Sequence, residues 1–209
     1  MLLWHKTRYE MSQTGRIELL DQAGNRKYLN TQERQRFKEA AIRQDGEVRT
    51  FCLLLYWSGC RISEALAVHD MRISFEDQAV VIETLKKRKG GVYRQIPLPS
   101  QFLDELNLVH RIKTNRKKKN HKTERLWNWS RRTASRRIEE VMQAAGIDGV
   151  QGSAKGLRHS FAITCLQKGI PLNLVSKWLG HSRMETTAIY ANALGEEERD
   201  IASRLWKEG

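Results

Sequence analysis

The spacing of hydrophobic residues predicts a chain that is mostly helical. Phe37, Ala40 and Ala41 recur at intervals that place them on one face of a helix beginning near Thr31. Residues 51–57 are almost continuously hydrophobic, which predicts a helix over 47–57 that is buried on most of its sides. The same signals predict further helices from residue 61 or 62, over 100–110, 131–145, 155–168 and 171–179, from 183, and over 194–206.

Two segments carry the pattern of β-strands. Residues 79–84 are rich in β-branched side chains, and residues 92–97 alternate between polar and apolar. Between them, residues 86–91 consist of four basic residues and two glycines, which is typical of a hairpin turn. The predicted fold class is therefore α+β, mainly α, with a small antiparallel β-hairpin or sheet.

The domain organisation follows from where the periodicity begins. Residues 1–28 lack a clear period, so we expect an N-terminal tail or a loosely docked arm, and residues 29–209 are expected to form one domain. Between residues 111 and 137 the chain carries twelve Lys or Arg residues and a single acid, Glu124. Within this basic stretch, Lys113 to Lys122 are predicted to form a mobile loop.

The charge of the chain indicates a polyanionic partner. Thirty-seven Lys and Arg residues outnumber 24 Asp and Glu residues, giving a formal net charge of +13. Since the hydrophobic content suffices for a folded domain, this excess favours nucleic acid over a disordered basic tail. The alternative is a ribosome-associated or simply basic protein.

The remaining composition places the protein in the cytoplasm. The three cysteines are odd in number and lack the spacing of metal ligands, which favours buried or spare thiols in a reducing compartment. The apolar run at the N-terminus is too short for a signal peptide, and no segment approaches the roughly 18 apolar residues of a membrane span. We therefore expect a soluble, nucleoid-associated protein with no membrane partner.

The segment 179–190 carries the first candidate for catalysis. Tyr190 follows His181 by nine residues, and Ser182 with Glu185 has capping-box spacing, which predicts a helix from Arg183. Gly180 suits the end of the preceding helix, so His181 is expected on an exposed turn. A tyrosine on an amphipathic helix usually packs in the core. A catalytic role for Tyr190 therefore requires further catalytic residues elsewhere in the chain.

Other segments supply the groups that cleavage of a phosphodiester without a metal requires. Two arginines can hold the non-bridging oxygens with paired, charge-assisted hydrogen bonds. A lysine on a turn can protonate the leaving oxygen, and a tyrosine can form a covalent phosphoenzyme if its proton is accepted. Arginines that follow glycine signals occur in 58–66 and 156–162, and lysines occur in the predicted hairpin turn.

These motifs resemble those of the tyrosine recombinases, the phage integrase family. Residues 58–66, Ser-Gly-Cys-Arg-Ile-Ser-Glu-Ala-Leu, are similar to the family's first-arginine motif, and residues 156–162, Gly-Leu-Arg-His-Ser-Phe-Ala, to its second. Leu-Gly-His at 179–181, with a tyrosine nine residues after the histidine, matches the third. The resemblance covers about residues 29–206, which implies the family's catalytic fold.

The resemblance implies a role for each matching residue. Arg61 and Arg158 would bind the scissile phosphate, His181 would contact the same phosphate, and Tyr190 would be the nucleophile that forms a 3′-phosphotyrosine. Glu64 would be a buried structural partner of the first-arginine helix. The general acid would be Lys86, although the alignment of this basic turn can slip to Lys87 or, less well, to Lys89.

One position departs from the family pattern. Lys155 stands where most members have histidine, three residues before Arg158, although some members carry lysine there. Lysine can still donate to a phosphate, but it is a poor proton acceptor unless its pKa falls. His159 is adjacent, but it points about 100° away from Arg158 on a helix, so we expect a structural role for it. The group that accepts the tyrosine proton stays open.

The family resemblance also implies the partners. Double-stranded DNA would be the substrate, no cofactor would be needed, and four protomers would assemble on two duplexes. The segment 194–206 would either dock onto a neighbouring protomer or cap its own core. The residues expected to contact DNA are Lys87, Arg88, Lys89, Arg131, Arg132 and Arg136, with Arg72, Arg94 and Arg137 as further candidates.

The predicted function is site-specific DNA recombination by integration, excision, inversion or resolution. Only about 28 residues precede the domain, so the chain resembles short family members that lack an N-terminal core-binding domain, or a catalytic fragment. Two alternatives stay open. One is a type IB topoisomerase-like enzyme, and the other is a catalytically weak DNA-binding regulator or accessory protein with the same fold.

Overall fold

The computed structural model describes residues 19–85 and 91–191 of the chain. Within these residues the fold is mainly helical with one small antiparallel sheet, which confirms the predicted fold class. Three predicted segments lie wholly or partly outside the described residues: the first 18 residues of the N-terminal tail, residues 86–90 of the hairpin turn, and the helix over 194–206. The helices are α1 (Thr31–Ile42), α2 (Gly46–Ser58), α3 (Ile62–Leu66), α4 (Ser100–His110), α5 (Ile112–Arg116), α6 (Arg131–Ala144), α7 (Ala154–Gln167), α8 (Leu172–Leu179) and α9 (Glu185–Ala188).

Helix α2 lies at the centre of the core, as its continuous hydrophobicity predicts. The Asp45 side chain caps its first turn by accepting a hydrogen bond from the Val48 amide, and Gly59 ends it with a left-handed φ of 59°. It packs against α1, α4 and α7. Phe51 meets the buried Trp127 ring edge-to-face, with the ring centroids 5.2 Å apart. Tryptophan from the basic stretch therefore anchors that stretch to the core.

The sheet has three strands in the order β1 (Ile73–Ser74), β2 (Ala79–Glu83) and β3 (Tyr93–Pro97). Val80 pairs with Ile96 and Ile82 with Arg94, so one face of β3 is buried. The sequence pattern predicts β2 and β3 but not β1. A strand of two residues is too short to show an alternating pattern.

The basic stretch contains a short helix that was not predicted. Ile112–Arg116 is helical because the Ile112 side chain is fully buried and the Arg116 guanidinium donates a hydrogen bond of 2.7 Å to the Ile73 carbonyl. The same guanidinium donates to the Asp70 carbonyl. The predicted loop from Lys113 to Lys122 therefore begins later than expected, after Arg116.

The segment that carries Tyr190 folds differently from its prediction. The helix α9 has only four residues, its Ser182 side chain forms no cap, and Tyr190 lies in the turn that follows. The His181 Nδ1 atom lies 2.8 Å from the Thr187 hydroxyl, which folds the start of the segment back on itself. The predicted helix therefore begins two residues later than Arg183 and is short, and His181 lies on the predicted turn but is half-buried rather than exposed.

The cysteines and the helix lengths give two further observations. All three cysteines are buried free thiols, as predicted, and burial raises the pKa of Cys52 to about 12 and the pKa values of Cys60 and Cys165 to about 11. The thiols are thus protonated at neutral pH. Among residues 19–85 and 91–191, no helix is long and apolar enough to cross a membrane.

Candidate active site

Residues from four distant segments line one open cleft of about 750 Å³. Arg61 comes from the start of α3, Lys155 and Arg158 from α7, His181 from the turn after α8, and Tyr190 from the turn after α9. The structure therefore brings together five of the six residues that the resemblance implies for catalysis. The sixth, Lys86, lies outside the described residues, but Leu85 immediately before it lines the cleft.

Arg61 is held at the cleft by a buried carboxylate. The side chain of Glu64 is only 1% exposed, and its two oxygens accept hydrogen bonds of 2.8 Å from the Arg61 guanidinium and 3.0 Å from the Arg61 amide. Burial raises the pKa of Glu64, but Arg94 and Arg61 outweigh that effect and hold the pKa below its ordinary value. The predicted role of Glu64 as a buried partner is confirmed.

Arg94 is not a surface residue as the sequence analysis expected. It is buried, and its guanidinium donates hydrogen bonds of 2.6 Å to Glu64, 2.9 Å to the Thr84 hydroxyl and 2.7 Å to the Trp178 carbonyl. It therefore ties the sheet to α3 and α8, and the prediction that it contacts DNA is wrong. Arg94 lies two residues before the buried Ile96 on β3, and residues two apart on a strand face the same side of the sheet. This spacing is the sequence signal that Arg94 faces inward.

Arg158 is buried at the back of the cleft. Its guanidinium donates hydrogen bonds of 2.8 Å to the Gly59 carbonyl and 2.7 Å to the Leu179 carbonyl. These two bonds join α7 to the first-arginine motif and to the end of α8. Burial and the nearby Arg61 charge lower the pKa of Arg158 to about 10, so the guanidinium remains charged at neutral pH.

The tautomer of His181 follows from its neighbours. Its Nε2 atom lies 3.1 Å from an Arg158 nitrogen and its Nδ1 atom 2.8 Å from the Thr187 hydroxyl. Because a guanidinium only donates hydrogen bonds, Nε2 accepts, and Nδ1–H donates to the hydroxyl. Burial, Arg158 and Arg61 lower the pKa of His181 to about 3, so the ring is neutral.

Tyr190 is fully buried, and its hydroxyl oxygen lies 2.9 Å from Nδ1 of His159. Burial raises the pKa of Tyr190, although the charges of Arg158 and Arg61 act in the opposite direction. From the sequence, His159 is predicted to be structural because it points away from Arg158 on the helix. That prediction missed this contact, which joins residues 31 positions apart that no local pattern links.

The basic residues expected to contact DNA lie in different places. Lys155 is exposed on the first turn of α7, and Arg131 lines the cleft from the start of α6. Arg132 and Arg136 are exposed on α6, and Arg136 lies 3.7 Å from the Glu140 carboxylate. Arg137 forms a closer ion pair of 3.1 Å with the same carboxylate, and Arg72 stacks over the Tyr93 ring. Lys87, Arg88 and Lys89 lie outside the described residues.

Comparison with known proteins places this architecture in a family. The family model described as "Phage integrase family" matches residues 27–197. The tyrosine recombinase XerA of Pyrococcus furiosus is 29% identical over 187 residues, which cover 85% of this chain and 61% of the relative. The tyrosine recombinase XerD of Caulobacter vibrioides is 31% identical over 185 residues, which cover 81% and 58%. The chain thus spans about six-tenths of the length of these curated relatives.

Solved structures agree with this assignment. A crystal structure of XerA recombinase has a TM-score of 0.70 at 21% identity, over 87% of this chain and 66% of that chain. XerH site-specific recombinase bound to palindromic difH substrate, a post-cleavage complex, also has a TM-score of 0.70, at 25% identity over 92% and 57%. The catalytic domain of bacteriophage HP1 integrase has a TM-score of 0.59 at 21% identity, over 79% and 86%. The chain belongs to the phage integrase family and has the catalytic fold of the tyrosine recombinases.

Proposed function

We propose that this chain is a site-specific DNA recombinase that cleaves and rejoins DNA strands through Tyr190. The observation that carries the proposal is the meeting of Arg61, Arg158, His181 and Tyr190 in one cleft, although 129 positions separate the first from the last. Curated relatives named as tyrosine recombinases support the same activity.

The charges of the cleft suit a scissile phosphate. Arg61 is half-buried with one face open to the cleft, and Arg158 remains protonated at neutral pH behind it. Both guanidinium groups donate to the non-bridging oxygens and stabilise the charge that grows on them during attack. His181 adds a ring that Arg158 and Thr187 already orient, and the exposed Lys155 contributes a further cation.

The reaction exchanges one phosphate ester for another. The Tyr190 oxygen bonds to phosphorus, the bond to the 5′ oxygen breaks, and that oxygen takes a proton from the general acid. Lys86 is the proposed acid, with Lys87 as the alternative, because the residue before Lys86 lines the cleft. The 5′ hydroxyl later attacks the phosphotyrosine, so rejoining needs no nucleotide cofactor.

The proposed partners are double-stranded DNA and further copies of the chain. Arg131, Arg132 and Arg136 contact the DNA backbone next to the cleft, and XerH, a structural neighbour, was crystallised bound to palindromic difH substrate. We propose a tetrameric synapse that forms on DNA in the cytoplasm, at the nucleoid, from protomers that associate weakly when free.

A covalent adduct tests the reaction class. DNA segments flanking the gene are first screened for binding, and the bound site is then prepared as a suicide substrate nicked next to the candidate crossover. We expect a denaturant-resistant protein–DNA adduct with the wild-type chain and none with Tyr190→Phe. Salt-sensitive binding without an adduct would favour the DNA-binding regulator, and relaxation of supercoiled plasmid without strand exchange would favour the topoisomerase-like enzyme.

A further inference from the structure

Among residues 19–85 and 91–191, His159 is the residue placed to accept the proton of the Tyr190 hydroxyl. The hydroxyl lies 2.9 Å from Nδ1 of His159, and the two residues are 0% and 2% exposed. Nε2 of His159 is buried and meets no hydrogen-bond partner among the described residues. In the tautomer that carries its proton on Nε2, Nδ1 of His159 accepts the hydrogen bond that the Tyr190 hydroxyl donates. Nδ1 then offers its lone pair to the tyrosine.

Lys155 does not offer such an acceptor. It is exposed on the first turn of α7, and its ammonium group has donors but no lone pair. It stands at the position where most family members carry histidine, which is why the sequence left the proton acceptor open. His159 lies four residues further along the same helix, so the two side chains share one helical face.

We propose that His159 accepts the proton of Tyr190 during strand cleavage and returns it on rejoining. The proposal rests on the proposed function. In the step, the Tyr190 O–H proton passes to Nδ1 of His159, the tyrosine oxygen bonds to phosphorus, and the bond to the 5′ oxygen breaks. On rejoining, the imidazolium gives the proton back to the leaving tyrosine.

The charges around His159 make its protonation depend on DNA. Burial, followed by the charges of Lys155, Arg158 and Lys27, lowers the pKa of His159 to about 4. Among residues 19–85 and 91–191, Tyr190 and the neutral His181 ring also lie near His159. A phosphate held by Arg158 and Lys155 brings a negative charge that offsets two of these cations, which raises the pKa of His159 in the complex. The protonated form of His159 therefore forms more easily when a phosphate is bound than in the free protein.

The test compares single-turnover rates of adduct formation on a nicked DNA that the wild-type chain cleaves. His159→Asn keeps a hydrogen-bond acceptor near Nδ1 but cannot hold a proton, so we expect the rate to fall about 100-fold or more, as for loss of a general base. His110→Asn is the matched control. That histidine is half-buried and also has a pKa lowered to about 4 by burial, but it packs against Trp127 away from the cleft. Its rate should stay within twofold of the wild type.

Chemical rescue separates proton transfer from structural support. His159→Ala leaves a cavity beside Tyr190 that opens to the cleft, because His159 itself lines the cleft. We expect added imidazole to accelerate this variant at least tenfold and to leave His110→Asn unchanged. The wild-type rate should also fall as pH decreases through the pKa of His159 in the complex, and His159→Asn should lack that acid limb.

Two results would overturn the inference: a His159→Asn variant that cleaves within threefold of the wild-type rate, or a His159→Ala variant that imidazole does not accelerate. Both are read against wild-type protein that forms the adduct on the same DNA. Absence of the wild-type adduct would instead mean that the proposed recombinase activity itself is wrong.

Discussion

At the scale of single residues, the buried carboxylate of Glu64 stands out because it binds two arginine side chains. Its carboxylate lies 2.6 Å from Arg94, whose side chain is 4% exposed, and it also holds Arg61 at 2.8 Å. Breaking a buried ion pair by removing one partner costs about 3–5 kcal/mol, because the other charge is left uncompensated. We expect Glu64→Gln to lower the free energy of unfolding by about 3 kcal/mol or more, measured by urea denaturation.

The control for this prediction is the surface carboxylate of Glu140. It pairs with Arg137 at 3.1 Å and with Arg136 at 3.7 Å, but its side chain is 45% exposed. Exposed pairs contribute about 0–1 kcal/mol, so Glu140→Gln should change the free energy of unfolding by less than about 1 kcal/mol. Equal effects of the two substitutions would contradict the structural importance of the Glu64 pair.

At the scale of elements, the end of α2 controls how the two arginine motifs meet. Gly59 has a φ of +59°, and a Cβ atom there would lie 2.3 Å from the Phe161 ring on α7. The Gly59 carbonyl also accepts a hydrogen bond from Arg158. We expect Gly59→Ala to destabilise the protein through both left-handed strain, about 1–3 kcal/mol, and overpacking, a further 1–3 kcal/mol.

Gly169 provides the matched comparison for that substitution. Its φ of +74° is equally left-handed, but a Cβ atom there would meet no atom within 4 Å. Gly169→Ala should therefore show only the strain. In urea denaturation, Gly59→Ala should be less stable than Gly169→Ala by at least about 1 kcal/mol, the lower bound for overpacking. Equal losses would mean that α7 moves away from Gly59 without cost.

The elements also show what the sequence could predict. The predicted helix over 47–57 appears as Gly46–Ser58, because its hydrophobic run and its terminal glycine are local signals. The strand β1 and the helix α5 are too short to produce a periodic pattern. The helix expected from Arg183 is cut short, since the capping-box spacing was outweighed by the contact between His181 and Thr187.

The features of the candidate site likewise divide into those that local motifs predict and those that depend on packing between elements. Arg61, Arg158, His181 and Tyr190 were found through motifs, and the structure places all four at one cleft. The contact between His159 and Tyr190 was missed, as was the burial of Arg94, because each depends on packing between elements. Local patterns identify which residues carry chemistry, whereas the network that orients them is set by contacts between distant segments.

For the whole molecule, one buried histidine and two half-buried ones make stability depend on pH. Burial lowers the pKa values of His110 and His159 to about 4 and that of His181 to about 3, from an ordinary value of 6.5. Below pH 6.5 the unfolded chain binds protons that the folded chain does not, so the free energy of unfolding falls as pH decreases towards 4. The stabilisation is fully present above pH 6.5.

This prediction is measured by urea denaturation between pH 7 and pH 5. Carboxylates with lowered pKa values, such as Glu33 and Glu64, have an ordinary pKa of 4.5 in the unfolded chain, so they add to the slope only near the lower end of that window. His110→Asn and His159→Asn should each flatten the dependence by about one proton. A wild-type stability that stays constant down to pH 5 would show that these rings can become charged without unfolding.

The positive charge of the molecule leads to a prediction about DNA binding. Arg131 lines the cleft and Arg132 is exposed beside it at the start of α6, so both are proposed phosphate contacts. Each phosphate contact contributes about 0.9 to the slope of log affinity against log salt concentration. Replacing both arginines by glutamine should reduce the magnitude of that slope by about 2, measured by binding titrations between about 50 and 200 mM salt.

Lys168 is the control for that experiment, because it carries the same charge as an arginine but lies far from the cleft. It is exposed at the end of α7, while Lys155 at the start of α7 lines the cleft. At roughly 1.5 Å per residue, the helix separates them by about 20 Å, which is about two Debye lengths at roughly 0.1 M salt. Lys168→Gln should therefore leave the slope unchanged. If it reduces the slope as much as a cleft arginine does, binding follows net charge, and the cleft is not where the DNA backbone lies.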